Sequence, residues 1–245
     1  KTSGDKIQDV PLAKIGGKGL FVKEIEEGLL KREVDFAVHS MKDMPIIFPM
    51  NLCIACVTKR ENPFDALISR NSIKLDDLPK GAKIGTGSLR RMSQLLYYRP
   101  DLKLIPLRGN LETRLKKLET EGLDAIILAA AGLIRLGWSD RITEIISPEV
   151  LLPAMGQGAV GIETRKNDVD NQILLADMDH EETHYALDAE RALVSQLEGG
   201  CNVPIGSFAT VDGDKITLTG LVASLDGKTM YKKELTDLKT NAIAL

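Results

Sequence analysis

The chain repeats a strand–helix unit, and this repeat limits its fold more than any other feature. Three units follow one another between positions 82 and 137. They read AKIGT-GS-LRRMSQLLYY, LKLIPL-RGN-LETRLKKLE and DAIILA-AAGLIRLG, and in each a short apolar run leads into a helical pattern. Alternating strands and helices of this length predict parallel α/β sheets.

A fourth unit precedes these three. Phe21, Ile25 and Leu29 recur every four residues between Gly19 and Arg32, and this spacing predicts an amphipathic helix. The segment DFAVHS then predicts a short buried strand, which the polar loop MKDMP follows. The first part of the chain is therefore also expected to be α/β.

The alternation of predicted strands and helices ends at the glycine-rich segment LLPAMGQGAVGIETR. We interpret residues Pro153–Gly158 as a crossing between domains. A long helix is predicted from Glu181 to Leu197, ending at Gly199 and Gly200, where glycine suits the left-handed C-cap conformation. The remainder alternates apolar and polar residues around two Asp-Gly turns, which predicts antiparallel hairpins. The C-terminal part is therefore expected to be α+β.

Charge is distributed unevenly along the chain. The net charge of the 245 residues is only −3, yet ten Lys and Arg residues lie between Lys80 and Lys117 against two acids, Asp101 and Glu112. Such a basic block indicates an anionic partner, although a solvated helix face remains an alternative. Aromatic residues form only 4% of the chain. An RNA-binding module, which needs stacking platforms, is therefore the least supported class.

Cysteine content and hydropathy indicate the cellular setting of the protein. Three cysteines argue against a disulfide framework and favour a reducing, cytosolic setting. No apolar run approaches the roughly 18 residues that a membrane span requires. Neither a membrane partner nor a membrane-bound location is expected.

Arginines follow the predicted strands at similar positions. Arg90 and Arg91 lie in the first turn of a predicted helix, where backbone N–H groups and the helix dipole favour an anion. Ser88, just before them, also fits a plain N-cap. Ligands of open parallel sheets bind at the carboxyl ends of the strands, and arginine grips carboxylates bidentately. The pattern predicts a polyanion site, with a surface role left open for each arginine; the later members are Arg108, Arg114 and Arg135.

The segment HSMKDMP places polar side chains after another predicted strand. His39, Ser40, Lys42 and Asp43 all lie there. A carboxylate beside cations is ordinarily an ion-pair partner. Asp43 becomes catalytic if the reaction develops positive charge that only this carboxylate can reach.

Two other patterns resemble metal or redox motifs. HEETH, from His180 to His184, has zincin spacing, but His39 is the only further histidine and the segment opens a predicted helix. CIAC, from Cys53 to Cys56, lies in an apolar strand-like run, whereas redox pairs open a helix. We expect no metal site, and we expect both of these cysteines to be buried in a strand.

Cys201, the third cysteine, stands between a glycine pair and an Asn-Val-Pro turn in LEGGCNVPIG. It follows the predicted end of a helix, whose negative dipole end disfavours a thiolate. From the residues alone, Cys201 is either a buried structural cysteine or an anchor that reacts once with a strong electrophile.

Six motifs in order along the chain resemble one family. KIGGKGLFVKEIE, AVHSMKDMP, GTGSLRR, LRGNLETRL, LPAMGQGAVGIE and LEGGCNVPIG are similar to the motifs of the porphobilinogen deaminase (hydroxymethylbilane synthase) family. The resemblance implies two periplasmic-binding-protein-like α/β domains joined by a hinge, plus a smaller α+β C-terminal domain.

The resemblance also implies boundaries for the three domains. Domain 1 is expected at residues 1–58 and 159–177, domain 2 at 64–152 and domain 3 at 181–245. Relative to the family, an N-terminal strand and helix and the C-terminal end are expected to be missing from this sequence.

The resemblance assigns roles to individual residues. It implies that Cys201 carries a covalent dipyrromethane cofactor through a thioether and that Asp43 is the catalytic carboxylate. The other cofactor-binding positions it implies are Lys42, Asp43, Thr86, Ser88, Arg90, Arg91 and Arg114. The substrate-binding positions it implies are Ser40, Arg108, Arg114 and Arg135.

The activity implied by the resemblance suits these residue types. Four porphobilinogen molecules condense stepwise, with release of ammonia, into the linear tetrapyrrole hydroxymethylbilane. Loss of ammonia gives a cationic azafulvene, which a carboxylate near the pyrrole N–H can stabilise. A cytoplasmic monomer without nucleic-acid or membrane partners is expected, and a mobile lid is expected at residues 45–51. The alternative is a non-catalytic, hinged binding protein for a carboxylated small molecule.

Overall fold

The structure, a computed structural model, describes residues 22–197 and 203–245. The strands are β1 (Ala37–Ser40), β2 (Leu52–Val57), β3 (Asp65–Ser69), β4 (Lys83–Gly85), β5 (Lys103–Ile105), β6 (Ala125–Ala129), β7 (Glu144–Ile145), β8 (Val160–Arg165), β9 (Ile205–Asp212), β10 (Lys215–Ala223) and β11 (Met230–Leu238). The α-helices are α1 (Lys23–Leu30), α2 (Leu89–Tyr98), α3 (Leu111–Thr120), α4 (Ala130–Arg135), α5 (Val169–Ala176) and α6 (Glu181–Gln196). The mixed α/β fold class is confirmed.

The described strands form three sheets. The first has the order β1–β8–β2, the second β5–β4–β6–β3–β7, and the third β11–β10–β9. Each sheet draws its strands from one of the three predicted domain ranges, and the exact domain boundaries stay a prediction. The antiparallel hairpins predicted for the C-terminal part are confirmed in β9–β10–β11.

The predicted parallel pairing is confirmed for the three strand–helix units, but the other described strand pairs are antiparallel. In the second sheet β4 pairs in parallel with β5 and β6, but β3 runs antiparallel to β6 and to β7. Both described pairs of the first sheet, β1–β8 and β2–β8, are antiparallel as well. Helical crossovers through α2 and α3 join β4 to β5 and β5 to β6, and such crossovers keep these strands parallel. The remaining strands lie next to the chain's passages between sheets, where no such constraint acts.

The second sheet is buried on both faces. Leu67 and Ile127 face one apolar cluster, while Ile68 and Ile126 face the other. Alternate residues of β3 and β6 therefore pack on opposite sides, as expected for strands that helices cover on both faces. Strand β3 was not predicted, although the three central residues of its segment DALIS are apolar.

The third sheet packs on α6. Ala186 and Ala189 of the helix contact Ala209, Ile216 and Leu218 of the sheet, and these side chains form one apolar cluster. Small side chains on the helix let its backbone approach the sheet closely. This packing places the C-terminal end of α6 beside the start of β9.

Membrane insertion through a helix finds no support in the described ranges. Among residues 22–197 and 203–245, no helix combines the length and the apolar character that crossing a membrane demands.

Candidate active site

The turn between β4 and α2 sets the position of two arginines. Ser88 is the N-cap of α2, and its hydroxyl oxygen accepts a hydrogen bond from the backbone N–H of Arg91 at 3.4 Å. The Ser88 N–H in turn donates to the Thr86 hydroxyl oxygen at 3.3 Å, and the Thr86 side chain is buried. Serine is a favourable N-cap because it satisfies a free backbone N–H of the first turn. Arg90 and Arg91 are thereby fixed in that turn.

Both arginines bind one buried carboxylate, Asp65, at the start of β3. Arg90 donates from Nη1 to Oδ2 at 2.8 Å and from Nη2 to Oδ1 at 3.2 Å. Arg91 donates to Oδ1 from Nε at 3.0 Å and from Nη2 at 2.7 Å. Gln157 adds a fifth hydrogen bond from Nε2 to Oδ1 at 2.9 Å. Asp65 is fully buried, so this network is shielded from solvent.

The environment of this network shifts the pKa values of Asp65 and Arg90. Burial alone would raise the pKa of Asp65, but the charges and hydrogen bonds of Arg90 and Arg91 hold that pKa well below its ordinary value. Burial lowers the pKa of Arg90, and the charge of Asp65 opposes this change. Two guanidinium charges share one carboxylate, so the network as a whole remains cationic.

A short 3₁₀ turn, Met41–Asp43, follows β1 and brings a second group of charges to the network. Burial lowers the pKa of the Lys42 ammonium; Asp43 opposes this lowering, while Arg91 adds to it. Burial also lowers the pKa of Arg114, with Arg91 adding to this lowering and Asp43 opposing it. The structure therefore brings Lys42, Asp43, Arg91 and Arg114 into one electrostatic neighbourhood, and Arg108 joins it through Arg114.

Three cations of this neighbourhood have no carboxylate partner within residues 22–197 and 203–245. Lys42 and Arg108 form no ion pair there, and Arg114 donates only from Nε to the Gly109 carbonyl oxygen at 2.7 Å. Unpaired, partly buried cations are unfavourable unless a ligand supplies the opposite charge. Lys42, Arg108 and Arg114 are therefore available to bind carboxylates.

The remaining predicted site residues lie around this group. Arg135, an exposed side chain of α4, donates from Nη2 to the Gly158 carbonyl oxygen at 2.8 Å. Ser40 is the last residue of β1 and is exposed. Within residues 22–197 and 203–245, no hydrogen bond joins either residue to Lys42 or Asp43. Cys201 lies outside the described residues, between the end of α6 and the start of β9.

The crossing at residues 153–158 links the network to the C-terminal sheet. The Gln157 carbonyl oxygen accepts a hydrogen bond from Arg60 Nε at 2.9 Å. Arg60 forms an ion pair with Glu190, a fully buried residue of α6. Glu190 also accepts from the Gly156 N–H at 2.7 Å. A continuous set of polar contacts therefore runs from Arg91 through Asp65 and Gln157 to helix α6.

The sequence analysis missed Asp65, Gln157, Arg60 and Glu190. One signal for Asp65 was present: a carboxylate opens the apolar segment DALIS, and a buried charge requires a partner. The partners themselves are distant in sequence, since Asp65 is 26 positions from Arg91 and 92 positions from Gln157.

The metal-like and redox-like patterns have structural roles. His180 caps α6, its Nδ1 accepting from the Thr183 N–H at 3.3 Å, and His184 Nδ1 lies 3.0 Å from Asp179 Oδ2. Cys53 and Cys56 are free cysteines within β2, and only Cys56 is fully buried. The prediction that both lie in a strand is confirmed, whereas burial of Cys53 is partial.

The structure is thus a mixed α/β fold in which three cations, Lys42, Arg108 and Arg114, have no ion-pair partner among the described residues, an arrangement suited to a ligand that carries carboxylates. Two family models match this chain: "Porphobilinogen deaminase, dipyromethane cofactor binding domain" over residues 1–173 and "Porphobilinogen deaminase, C-terminal domain" over residues 185–245. The chain belongs to the porphobilinogen deaminase family. It is therefore a transferase whose first part is a dipyrromethane-binding domain.

Curated relatives agree with the family models. A porphobilinogen deaminase of Bacillus subtilis strain 168 is 56% identical over 237 residues, which cover 96% of this chain and 76% of the relative. One from Geobacter sp. strain M21 is 56% identical over 236 residues, covering 96% of this chain and 74% of the relative. Among solved structures, a TRAP periplasmic solute binding protein from Desulfovibrio salexigens aligns at 11% identity with a TM-score of 0.41, over 66% of this chain and 59% of that one. That similarity is too low to bear on the fold.

Proposed function

We propose that the protein condenses four porphobilinogen molecules into hydroxymethylbilane with release of ammonia. The observation that carries this proposal is that the carboxylate of Asp43, which follows Lys42 in a 3₁₀ turn, interacts electrostatically with both Lys42 and Arg114. Such a site can bind polycarboxylates and stabilise a positive charge at the same point. Membership of the porphobilinogen deaminase family supports the same reaction.

The residues present fit a dipyrromethane cofactor. This group has two pyrrole rings, each with an acetate and a propionate, and it requires several cationic partners. Lys42 and Arg114 have no carboxylate partner in the described parts of the chain, and Arg90 Nε is a buried donor without an acceptor there. The residues that would hold the cofactor carboxylates are Lys42, Thr86, Ser88, Arg90, Arg91 and Arg114. We propose Cys201 as the covalent anchor and Asp43 as the catalytic carboxylate that serves cofactor and substrate.

Each residue of the site then has a chemical task. When bound, the cofactor supplies the pyrrole α-carbon that attacks the activated substrate. Asp43 stabilises the positive charge that develops on the substrate as ammonia leaves, because a fixed carboxylate is most effective where charge appears in the transition state. Asp43 also accepts the proton that the attacking α-carbon loses once the new carbon–carbon bond has formed. Arg108, Arg114 and Arg135, together with Ser40, bind the carboxylates of the incoming pyrrole.

The same proposal covers the arrangement of the protein. Residues 1–58 with 159–177, residues 64–152 and residues 181–245 form its three domains. The enzyme acts as a cytoplasmic monomer with a small-molecule substrate and without nucleic-acid or membrane partners. The low aromatic content, 4% of the chain, supports the absence of a nucleic-acid partner.

Intact-mass spectrometry tests the proposal. The purified protein is expected to exceed its sequence mass by two linked pyrrole units, and Cys201→Ala is expected to lose this excess. Incubation with porphobilinogen is then expected to release ammonia from the wild type only. A protein of unmodified mass that binds porphobilinogen without releasing ammonia would instead be the non-catalytic binding protein.

A further inference from the structure

The buried carboxylate Asp65 has no assigned role, although it lies at the centre of the arginine network. It accepts five hydrogen bonds, from Arg90, Arg91 and Gln157. Four of these five reach a single oxygen, Oδ1. These five hydrogen bonds fix the orientation of the Asp65 carboxylate.

Each of the two guanidinium groups also donates a hydrogen bond to a backbone carbonyl oxygen. Arg90 Nη1 donates to the Leu152 carbonyl oxygen at 2.6 Å, and Arg91 Nη1 donates to the Ile127 carbonyl oxygen at 3.1 Å. Asp65 on one side and these carbonyls on the other fix both guanidinium planes. Arginine recognises carboxylates through a planar fork, so its orientation decides which carboxylate oxygens it can reach.

Fixing the planes leaves particular donors for a ligand. Arg90 Nε is buried and has no hydrogen-bond partner among the residues that the structure describes. Arg90 itself is 6% exposed, so this donor is screened from bulk water. By contrast, the side chains of Lys42 and Arg108 form no hydrogen bond or ion pair in the described ranges. The site thus combines an arginine pair held by hydrogen bonds with cations that are not held in this way.

We propose that Asp65 is a positioning residue for cofactor loading: it presets Arg90 and Arg91 so that their remaining donors meet the carboxylates of the dipyrromethane. Gln157 supports Asp65, because its Nε2 donates both to Asp65 and to the Pro63 carbonyl oxygen at 2.7 Å. Gln157 belongs to the crossing that contacts Arg60 and, through it, helix α6. The orientation of the arginine pair is thereby tied to the helix that precedes Cys201 in sequence. This inference rests on the proposed function.

The experiment measures loading of apoprotein produced in cells that cannot make porphobilinogen. Apoprotein is mixed with porphobilinogen at several concentrations, and the gain of two pyrrole units is followed by intact mass. For Asp65→Asn, the half-saturating porphobilinogen concentration is expected to rise about 10-fold, the effect of losing one charge-assisted interaction. The maximal loading rate should change less than the half-saturating concentration. Gln157→Met should shift the concentration in the same direction by a smaller factor.

Matched controls separate positioning from folding. Asp101 also pairs with an arginine, Arg99, but on the surface of the same part of the chain, so Asp101→Asn should load like the wild type. All variants are compared at a temperature at which circular dichroism shows them folded. A purely structural role would lower the fraction that loads and leave the half-saturating concentration unchanged.

Each outcome decides the question. Folded Asp65→Asn that loads with wild-type concentration dependence overturns the inference. If Asp65→Asn does not fold, Gln157→Met provides the test. Loading of Gln157→Met with the wild-type dependence on porphobilinogen concentration would then overturn the inference. A wild-type apoprotein that never gains the two pyrrole units refutes the proposed function, and the inference fails with it.

Discussion

Arg60 and Glu190 form a bidentate ion pair in which Nη1 lies 2.6 Å from Oε1 and Nη2 lies 3.2 Å from Oε2. The Glu190 carboxylate also accepts hydrogen bonds from the N–H groups of Gly156, at 2.7 Å, and Ala209, at 2.8 Å. One buried side chain of α6 therefore joins the segment after β2, the crossing at residues 153–158 and strand β9. The first two are the segments that connect the first and second sheets, and β9 belongs to the third sheet.

We expect Glu190→Gln to destabilise the protein strongly. The substitution leaves the Arg60 guanidinium buried without a counter-charge, and breaking a buried ion pair in this way costs about 3–5 kcal/mol of unfolding free energy. Urea unfolding followed by circular dichroism measures the change. Glu149, which pairs with Lys232 and is 84% exposed, provides the control, and Glu149→Gln should have no measurable effect. Equal losses in the two variants would contradict the structural role of the buried pair.

The Asp65 carboxylate predicts a specific dependence of stability on pH. Its pKa is lower in the folded protein than in the unfolded chain, where it is about 3.9. Its stabilising contribution is therefore complete above that value and declines as the pH falls toward the folded-state pKa. The difference in unfolding free energy between wild type and Asp65→Asn should be constant near neutral pH. Below about pH 4 it should shrink by about 1.4 kcal/mol per pH unit.

Unfolding in urea at a series of pH values measures this difference. Comparison of the two proteins is needed because other carboxylates also titrate in the acid range. A gap between wild type and Asp65→Asn that stays constant down to pH 3 would show that Asp65 is not the titrating group.

Local patterns account for much of what the sequence predicted correctly. The units that contain β4, β5 and β6 and their helices depend on apolar periodicity and on short turns. The serine that caps α2 also acts within three residues, since Ser88 bonds the Arg91 N–H. Such features are decided by neighbours in sequence, and they can be inferred from it.

Features that depend on distant partners could not be predicted. The direction of β3 depends on its pairing with β6, about sixty positions away, and nothing in DALIS specifies it. The same holds for Asp65, whose partner Gln157 lies 92 positions further along the chain. Without those partners in view, Arg90 and Arg91 could be predicted only as free ligand-binding arginines. The structure shows instead that both are already engaged by Asp65.

Gly158 predicts a clear steric effect. Its φ is +90°, and a Cβ atom there would collide with the Glu61 carbonyl oxygen and lie 3.1 Å from Pro63 Cα. Gly122 has a φ of +63° but no atom within 4 Å of such a Cβ. Gly122→Ala should cost about 1–2 kcal/mol from backbone strain alone. Gly158→Ala should cost about 1–3 kcal/mol more because of the collision.

Thermal and urea unfolding of the two alanine variants measure this difference. Because Gly158 belongs to the crossing that also contains Gln157, Gly158→Ala should weaken cofactor retention as well, whereas Gly122→Ala should not. Identical stabilities of the two variants would show that the crossing adapts to the added methyl group.

Asp43→Asn tests the charge that the proposed reaction requires. The amide has nearly the same shape but no negative charge, so it should retain the cofactor while losing stabilisation of the cationic transition state. The expected decrease in kcat is about 100-fold to 1,000-fold, typical of removing one preorganised electrostatic group. Intact mass reports the cofactor, and ammonia release reports turnover. Wild-type rates with the cofactor in place would refute the role of Asp43.

Arg191 of α6 gives a prediction about the segment that follows Asp43. Its Nη2 donates to the carbonyl oxygens of Pro45 and Ile46, each at 2.7 Å, and its guanidinium lies 4.5 Å from the centre of the Phe48 ring. These contacts indicate that α6 fastens the segment, whereas the two prolines of residues 45–51 predict a mobile lid. Hydrogen exchange distinguishes the two, and the lid stays a prediction until it is measured.

If Arg191 fastens the segment through its carbonyl oxygens, the amides of residues 46–48 should exchange more slowly in the wild type than in a variant without these bonds, because the segment opens less often. Arg191→Lys keeps the charge but loses the planar fork that reaches both carbonyls. Exchange of these amides should then become faster. Arg141, which lies over the Trp138 ring at 5.4 Å, is the matched control, and Arg141→Lys should leave these amides unchanged. Equal exchange rates in the wild type and Arg191→Lys would favour the lid and contradict the fastening by Arg191.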